Sequence, residues 1–496
     1  LNTQGMMDKP PYGMIAILFV GAFVSFLNET LLNVALPSIM KDFDVSASAV
    51  QWLSTGYMLV NGVLIPASAF FIQKFTNRKL FITAMVLFTA GSVLATLAPS
   101  FGVLLAARMI QASGSAIMMP LLMNVMLASF PIERRGAAMG IFGLVMITAP
   151  AIGPTLSGWL IEHYTWRTLF GVVIPIAVMT LLFAIFKLKN ITPQRDITLD
   201  VFSLVLSSVG FGGILYGFSS AGEKGWDSVH VYGAIIIGVF GLVLFIYRQM
   251  RLDEPLLEFR IYKYPMFALS SAISVVLAMA MFSAMLLMPI YVQTIRGISP
   301  LHSGLLMLPG ALAMGIMSPI TGKLFDKFGA RILAIIGLSI MIATTFMFSN
   351  LTMDTEYGYL MFVYTLRMFG MSMVMMPVMT NGLNQLPQSM NPHGTAMNNT
   401  LQQVSGAVGS ALLVTLMQNR TESEAERLAE AAASVQNADP SAMAEVQAQI
   451  MNEAMLSGIN FSFTVSVFIA FAALILSFFM KRVKPATEPI REQSAG

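Results

Sequence analysis

Fourteen long apolar stretches follow one another along this 496-residue chain, and only Glu29, Arg108 and Arg367 place a formal charge well inside any of them. A bilayer core of about 30 Å needs roughly 20 apolar residues per helical crossing, and an ionised group held there costs several kcal/mol unless it is paired or hydrated. The pattern predicts an all-α membrane protein and nominates three working side chains. Hydrophobic residues make up 56% of the chain and charged ones 11%, a balance outside the range of soluble domains.

The expected crossings are 14–36, 50–72, 80–98, 102–128, 138–161, 168–187, 200–219, 230–249, 266–292, 303–321, 331–350, 357–379, 396–418 and 459–480. With both termini in the cytoplasm, loops on that side hold 20 of the 28 Lys and Arg residues and the opposite side six, as the positive-inside rule requires. Orientation thus accounts for the net charge of +3, and no basic stripe or arm points to nucleic acid. The opposite-side segment 419–457 is rich in Ala and Glu, including Glu422, Glu424, Glu426, Glu430, Glu445 and Glu453. Its composition predicts a partly helical, solvated hairpin interrupted at Pro440.

An internal duplication organises the rest. Arg108 matches Arg367, Pro120 matches Pro377, Asn124 matches Asn381, Gly136 matches Gly394 and Met139 matches Met397, at offsets of 257 to 259 residues. A constant offset of that size indicates two copies of a whole helical bundle, as in transporters whose halves rock about a midplane site. Helix 4 thereby corresponds to helix 12, so two six-helix halves flank an extra pair, helices 7 and 8. The expected divisions are a cytoplasmic tail (1–13), a first bundle (14–190), the extra pair with its linkers (191–265), a second bundle (266–480) carrying the 419–457 loop, and a cytoplasmic tail (481–496).

A second pairing, at offset 253, sets Ala69-Phe70-Phe71-Ile72-Gln73-Lys74-Phe75-Thr76-Asn77-Arg78 against Gly322-Lys323-Leu324-Phe325-Asp326-Lys327-Phe328-Gly329-Ala330-Arg331. The later copy resembles the G-x-L-x-D-R-x-G-R-K signature of the major facilitator superfamily; in the earlier copy Gln73 replaces the acid. Helix 1 carries Leu27-Asn28-Glu29-Thr30-Leu31-Leu32-Asn33-Val34-Ala35-Leu36-Pro37, similar to L-D-x-T-x-x-N-x-A-L-P of the fourteen-helix drug:proton antiporter branch, with Asn28 at the acid's position. Arg108-Met109-Ile110-Gln111-Ala112-Ser113-Gly114 resembles R-x-x-Q-G-x-G, and Gly140, Ala149, Gly153-Pro154 and Ser157-Gly158 resemble the antiporter motif of helix 5. The resemblance covers about residues 14–480. It implies the major facilitator fold, with two six-helix bundles plus an extra helix pair, and multidrug efflux from a bacterial cell membrane driven by the proton gradient, without a cofactor.

The residues also carry physical readings of their own. A carboxyl in the first crossing can bind and release a proton, and a contact between Glu29 and Arg108 that changed with conformation would couple proton binding to movement. A permanent structural ion pair is the competing reading. Candidate cavity residues are Asn28, Asn33, Gln111, Asn124, Arg367, Asn381, Asn398 and Gln402, although helix capping and interhelical bonding would use the same residue types. Gating candidates are Gln73, Lys74, Arg78, Gly140, Gly153, Pro154, Gly158, Gly322, Asp326, Lys327, Gly329 and Arg331. Small residues there permit close helix approach, and loop charges can pair and unpair as halves move.

No enzyme constellation is present: the phosphate-binding G-x-x-x-x-G-K-[ST] is absent, and the histidines at 163, 230, 302 and 393 lack metal-ligand spacing. With no cysteine, the chain forms no disulfide or thiolate metal site. The expected function is export of hydrophobic or amphipathic compounds in exchange for protons, by alternating access of a monomer embedded in lipid. A dedicated exporter of a metabolite, lipid precursor or signalling molecule, and a non-transporting receptor or scaffold, stay open as alternatives.

Overall fold

The computed structural model describes residues 11–45, 47–131, 134–191, 194–433 and 440–483, and every regular element among them is helical. In chain order these are α1 (Tyr12–Phe43), α2 (Ala47–Lys74), α3 (Asn77–Thr96), α4 (Phe101–Ser129), α5 (Arg135–His163), α6 (Arg167–Lys187), α7 (Val201–Lys224) and α8 (Val229–Arg251). There follow α9 (Pro265–Ile290), α10 (Pro300–Phe328), α11 (Ala330–Phe348), α12 (Tyr357–Ser372), α13 (Met375–Asn384), α14 (Asn391–Ala433) and α15 (Pro440–Ser477). Twelve spans among the described residues are long and apolar enough to cross a membrane; α12 and α13 together form one of them, and a shorter apolar helical stretch covers Pro265–Met281.

Local chemistry sets the boundaries. Thr76 accepts a hydrogen bond from the Lys79 N–H at the start of α3, and Asp200 accepts from Phe202 and Ser203 at the start of α7. The Arg248 guanidinium also bonds Asp200, which holds that carboxyl down at about 2. Gly329, at φ +81°, makes the turn that separates α10 from α11, a conformation that costs a side-chain-bearing residue. Pro377 lacks the N–H that the Met373 carbonyl would accept, and the chain breaks there between α12 and α13. The matching Met-Met-Pro leaves α4 unbroken across Pro120.

In the first half α3 and α4 approach closely: a Cβ on Gly114 would lie 2.3 Å from the Ala84 carbonyl oxygen, and one on Gly91 2.8 Å from that of Ala107. In the second half α11 meets α12 at Gly337 and Gly370 in the same manner. Helices α7 and α8 pack through Gly210, Gly213, Gly238 and Gly241, and α7 touches both halves. Its Tyr216 stacks on Trp52 of α2, while Trp226, just past its end, donates to Thr415 Oγ1 of α14.

Both described ends lie on one face, called here the terminal face: Tyr12 sits against Phe130, and Arg482 donates to the carbonyls of Asp326 and Lys327. Segment 419–457 is helical, as expected in part, but to a greater extent than a partly helical hairpin. At 1.5 Å per residue, the 43 residues of α14 measure roughly 65 Å and the 38 of α15 roughly 57 Å, about twice a bilayer core. Both helices run through the segment, and Pro440 begins α15 instead of interrupting a helix, since the first helical position needs no N–H partner. Buried Glu424 pairs with Arg420 and Arg427 one turn away on either side.

Candidate functional site

Arg108 lies at the centre of the first half, 1% exposed. Its guanidinium donates to Gln111 Oε1 at 2.9 Å, to Asn28 Oδ1 at 3.2 Å and to the Leu53 carbonyl at 3.5 Å, and it lies 4.2 Å from the centre of the Tyr57 ring. Gln111 passes the chain on by donating to Ser92 Oγ at 2.8 Å, so α1, α2, α3 and α4 are tied through one cation. Gln111 is fully buried in this bonding role and does not line an opening.

Glu29 is not the direct partner of Arg108. It is half-buried, interacts with Arg108 and Tyr57 through space, and enters no hydrogen bond or ion pair among the described residues. Consecutive helical residues are turned by about 100° from each other, so Asn28 meets the guanidinium directly and Glu29 does not. A buried arginine whose direct acceptors are neutral keeps its positive field, and Glu29 is the acid that feels it. Tyr57 is a member of this site that sequence reasoning missed, and no motif marks it.

Arg367, the duplicate of Arg108, is equally buried but has no acid at ion-pair distance among the described residues. It donates to the Ala280 carbonyl at 2.7 Å and to Thr345 Oγ1 at 2.5 Å. These contacts place Arg367 as a cross-brace between α9, α11 and α12 instead of a cavity residue. Asn381 likewise donates to the Lys481 carbonyl at 3.2 Å and anchors the chain beyond α15. Asn124 and Asn398 are buried, Asn398 with its Oδ1 unpartnered among the described residues, and Gln402 reaches the Met379 sulfur at 3.9 Å. The side chains of Asn33 and Pro154 lie outside the described residues.

Two seams join the halves at the terminal face. In the first, α10 lies on α5: Asp326 accepts from the N–H groups of Gly136 at 2.9 Å and Ala137 at 3.0 Å, which sets a carboxylate on the positive end of a helix. A Cβ on Gly322 would come within 2.2 Å of the Gly136 carbonyl, and one on Gly140 within 2.5 Å of that of Ser318. Ser318 donates back to the Gly140 carbonyl at 2.7 Å. In the second seam, α2 meets α14, with Gln73 Nε2 and His393 Nε2 3.0 Å apart. His393 also accepts from the Glu258 N–H at 3.3 Å. His393 was missed too, although it adjoins Gly394, the duplicate of Gly136.

The other gating candidates divide by location. Gly153 faces α1, where its Cβ would strike Thr30, while Gly158 faces open space. Lys74 pairs with Asp196 at 2.6 Å, Arg78 donates to the Ile185 carbonyl at 2.6 Å, and Lys327 lies over the Phe328 ring. Arg331 is exposed.

The profile of the Major Facilitator Superfamily matches residues 18–410. An uncharacterized MFS-type transporter of Bacillus subtilis (strain 168), YhcA, is 47% identical over 96% of this chain and 94% of its own length. The lincomycin resistance protein LmrB of the same strain is 43% identical over 95% of this chain and 96% of its own. The crystal structure of the human organic anion transporter MFSD10 (TETRAN) superposes with a TM-score of 0.65 at 12% identity, covering 95% of this chain and all of that one. A duplicated helical bundle, two seams at one face and relatives matched over nearly their whole length agree: this chain is a membrane transport protein, not an enzyme, and belongs to the major facilitator superfamily.

Proposed function

We propose that the chain is a proton-coupled antiporter that exports hydrophobic or amphipathic compounds from a bacterial cell, with its terminal face in the cytoplasm. The resistance named for LmrB, and for the 29% identical multidrug resistance protein B homolog of Mycobacterium tuberculosis (strain CDC 1551 / Oshkosh), supports drugs as the cargo. Fourteen crossings follow if α5 and α9 are added to the twelve apolar spans, since their 29 and 26 residues measure roughly 43 and 39 Å. An even count agrees with two ends on one face, and the excess of Lys and Arg there agrees with a cytoplasmic setting.

The observation that carries the reading is Glu29: a largely buried carboxyl within the membrane span, without an ion-pair partner among the described residues, in the field of Arg108 and Tyr57. Protonation removes the negative charge that Arg108 senses, and Arg108 reaches α1, α2, α3 and α4 at once. Proton binding at Glu29 therefore acts on the helices that must tilt when the seams part. In the state described the seams are closed at the terminal face, and a compound bound between the halves would leave by the opposite face. Arg108 and Arg367 have their hydrogen bonds inside the protein, which disfavours a dedicated anion exporter.

The test is efflux from proteoliposomes of lincomycin and of a lipophilic cation, driven by an imposed pH gradient. Glu29→Gln should fold and bind the compounds but lose pH-driven exchange. Wild-type rates in that variant would refute the proposal.

A further inference from the structure

At the terminal-face ends of α7 and α8 the surface holds a groove of about 270 Å³ that plays no part in the exchange proposed above. Phe202 and Leu206 of α7 and Leu244 and Tyr247 of α8 line it, and Arg248 and Arg251 stand at its mouth. The two arginines are held differently. Arg248 uses Nε to reach Asp200 at 2.8 Å and Ser203 at 3.2 Å, so its terminal amino groups are not engaged in those bonds, and its guanidinium lies 5.1 Å from the Phe202 ring centre. Arg251 lies 4.4 Å from the Tyr247 ring centre and is exposed, with no acid at ion-pair distance among the described residues.

We infer that this groove is a binding site for an anionic glycerophospholipid of the adjoining leaflet, with one acyl chain along Phe202, Leu206 and Leu244 and the phosphate at Arg251 and the free edge of Arg248. Three features select that occupant. The groove is apolar and lies on helices apolar enough to cross a membrane, so hydrocarbon is the available filler. Two guanidinium groups at its mouth complement a phosphodiester, which arginine binds through paired N–H donors. Aromatic rings beneath both cations orient them at the depth where headgroups lie, and Tyr247 adds a hydroxyl at the same level. A zwitterionic lipid satisfies the apolar requirement but carries its own ammonium to the arginines.

The test is native mass spectrometry of the intact, delipidated protein mixed with equal amounts of phosphatidylglycerol and phosphatidylcholine of identical chains. The wild type should retain phosphatidylglycerol preferentially. Arg251→Gln should lower that preference about fivefold, the order expected for one cation lost at an anionic lipid surface. Leu244→Trp, which fills the groove and leaves both arginines in place, should lower retention of phosphatidylglycerol, while Lys187→Gln, a charge loss on the same face outside the groove, should not. Each variant is scored only from a monodisperse elution peak. Equal retention of the two lipids, equal losses in Arg251→Gln and Lys187→Gln, or competition by inorganic phosphate as effective as by lipid would overturn the site.

Discussion

The two seams that close the terminal face occupy equivalent places in the duplicated halves but use different chemistry. Where α10 meets α5, a carboxylate caps two backbone N–H groups across the interface, and glycines bring the backbones together. Where α2 meets α14, Gln73 stands at the matching position and touches a histidine ring. The buried arginines differ in the opposite sense: Arg108 has an acid in its field and Arg367 has none. One half therefore supplies the strong latch and the other the titratable centre. Under the proposed exchange, division of labour of this kind would let a proton taken up in one half act on a contact fixed by the other.

The sharpest way to break the comparison is to remove both arginines in turn. Arg108→Met should abolish pH-driven exchange, because Glu29 then has no cation to sense. Arg367→Met should retain exchange but lower the thermal midpoint, since it removes the bonds to the Ala280 carbonyl and Thr345 Oγ1 that tie α9, α11 and α12, each worth about 1.5–3 kcal/mol where a charged group is involved. Loss of exchange in both variants, with both folded, would remove the asymmetry. The next largest effect is at the latch. Gly322→Leu sets a side chain against the Gly136 carbonyl, and overpacking of about 1–3 kcal/mol shifts a two-state closure by roughly 5- to 150-fold. The chain has no cysteine, so Ser318→Cys, buried in the closed seam, reports opening by its maleimide labelling rate. A rate unchanged by Gly322→Leu would mean that this contact does not limit opening.

Much of this arrangement was legible in the residues before any coordinate. The constant offset between Arg108 and Arg367 marks the duplication, and the offset of 253 pairs Gln73 with Asp326, the two residues that now face each other's opposite half. Rotation about helix axes was not legible. Asn28 and Glu29 are neighbours in sequence, and only the packed orientation of α1 decides which of them reaches Arg108. Asn381 read as a polar residue available to a cavity, because the Lys481 carbonyl that accepts its proton lies 100 residues away. His393 was weighed only for metal spacing, a test blind to a single histidine at a helix end. Segment 419–457 read as partly helical from its Ala and Glu content, but its polarity hid that the helices are continuous with the apolar spans on either side, and Pro440 begins α15 instead of interrupting a helix.

The smallest effect sharpens the contrast between the seams themselves. Asp326→Ala removes two charge-assisted bonds, each worth about 1.5–3 kcal/mol where a charged group is involved, although partial solvent exposure reduces this. Gln73→Ala removes a neutral contact worth about 0.5–1.5 kcal/mol. In the Ser318→Cys background Asp326→Ala should speed labelling by about 10-fold or more and Gln73→Ala by about 2- to 10-fold, from the same values. The order matters more than either size. The two seams part together when rigid halves rock, so one reporter reads both, and the variant with the faster labelling identifies the stronger latch. A larger effect from Gln73→Ala would place the dominant contact at His393 and reverse the assignment of latch and titratable centre to separate halves.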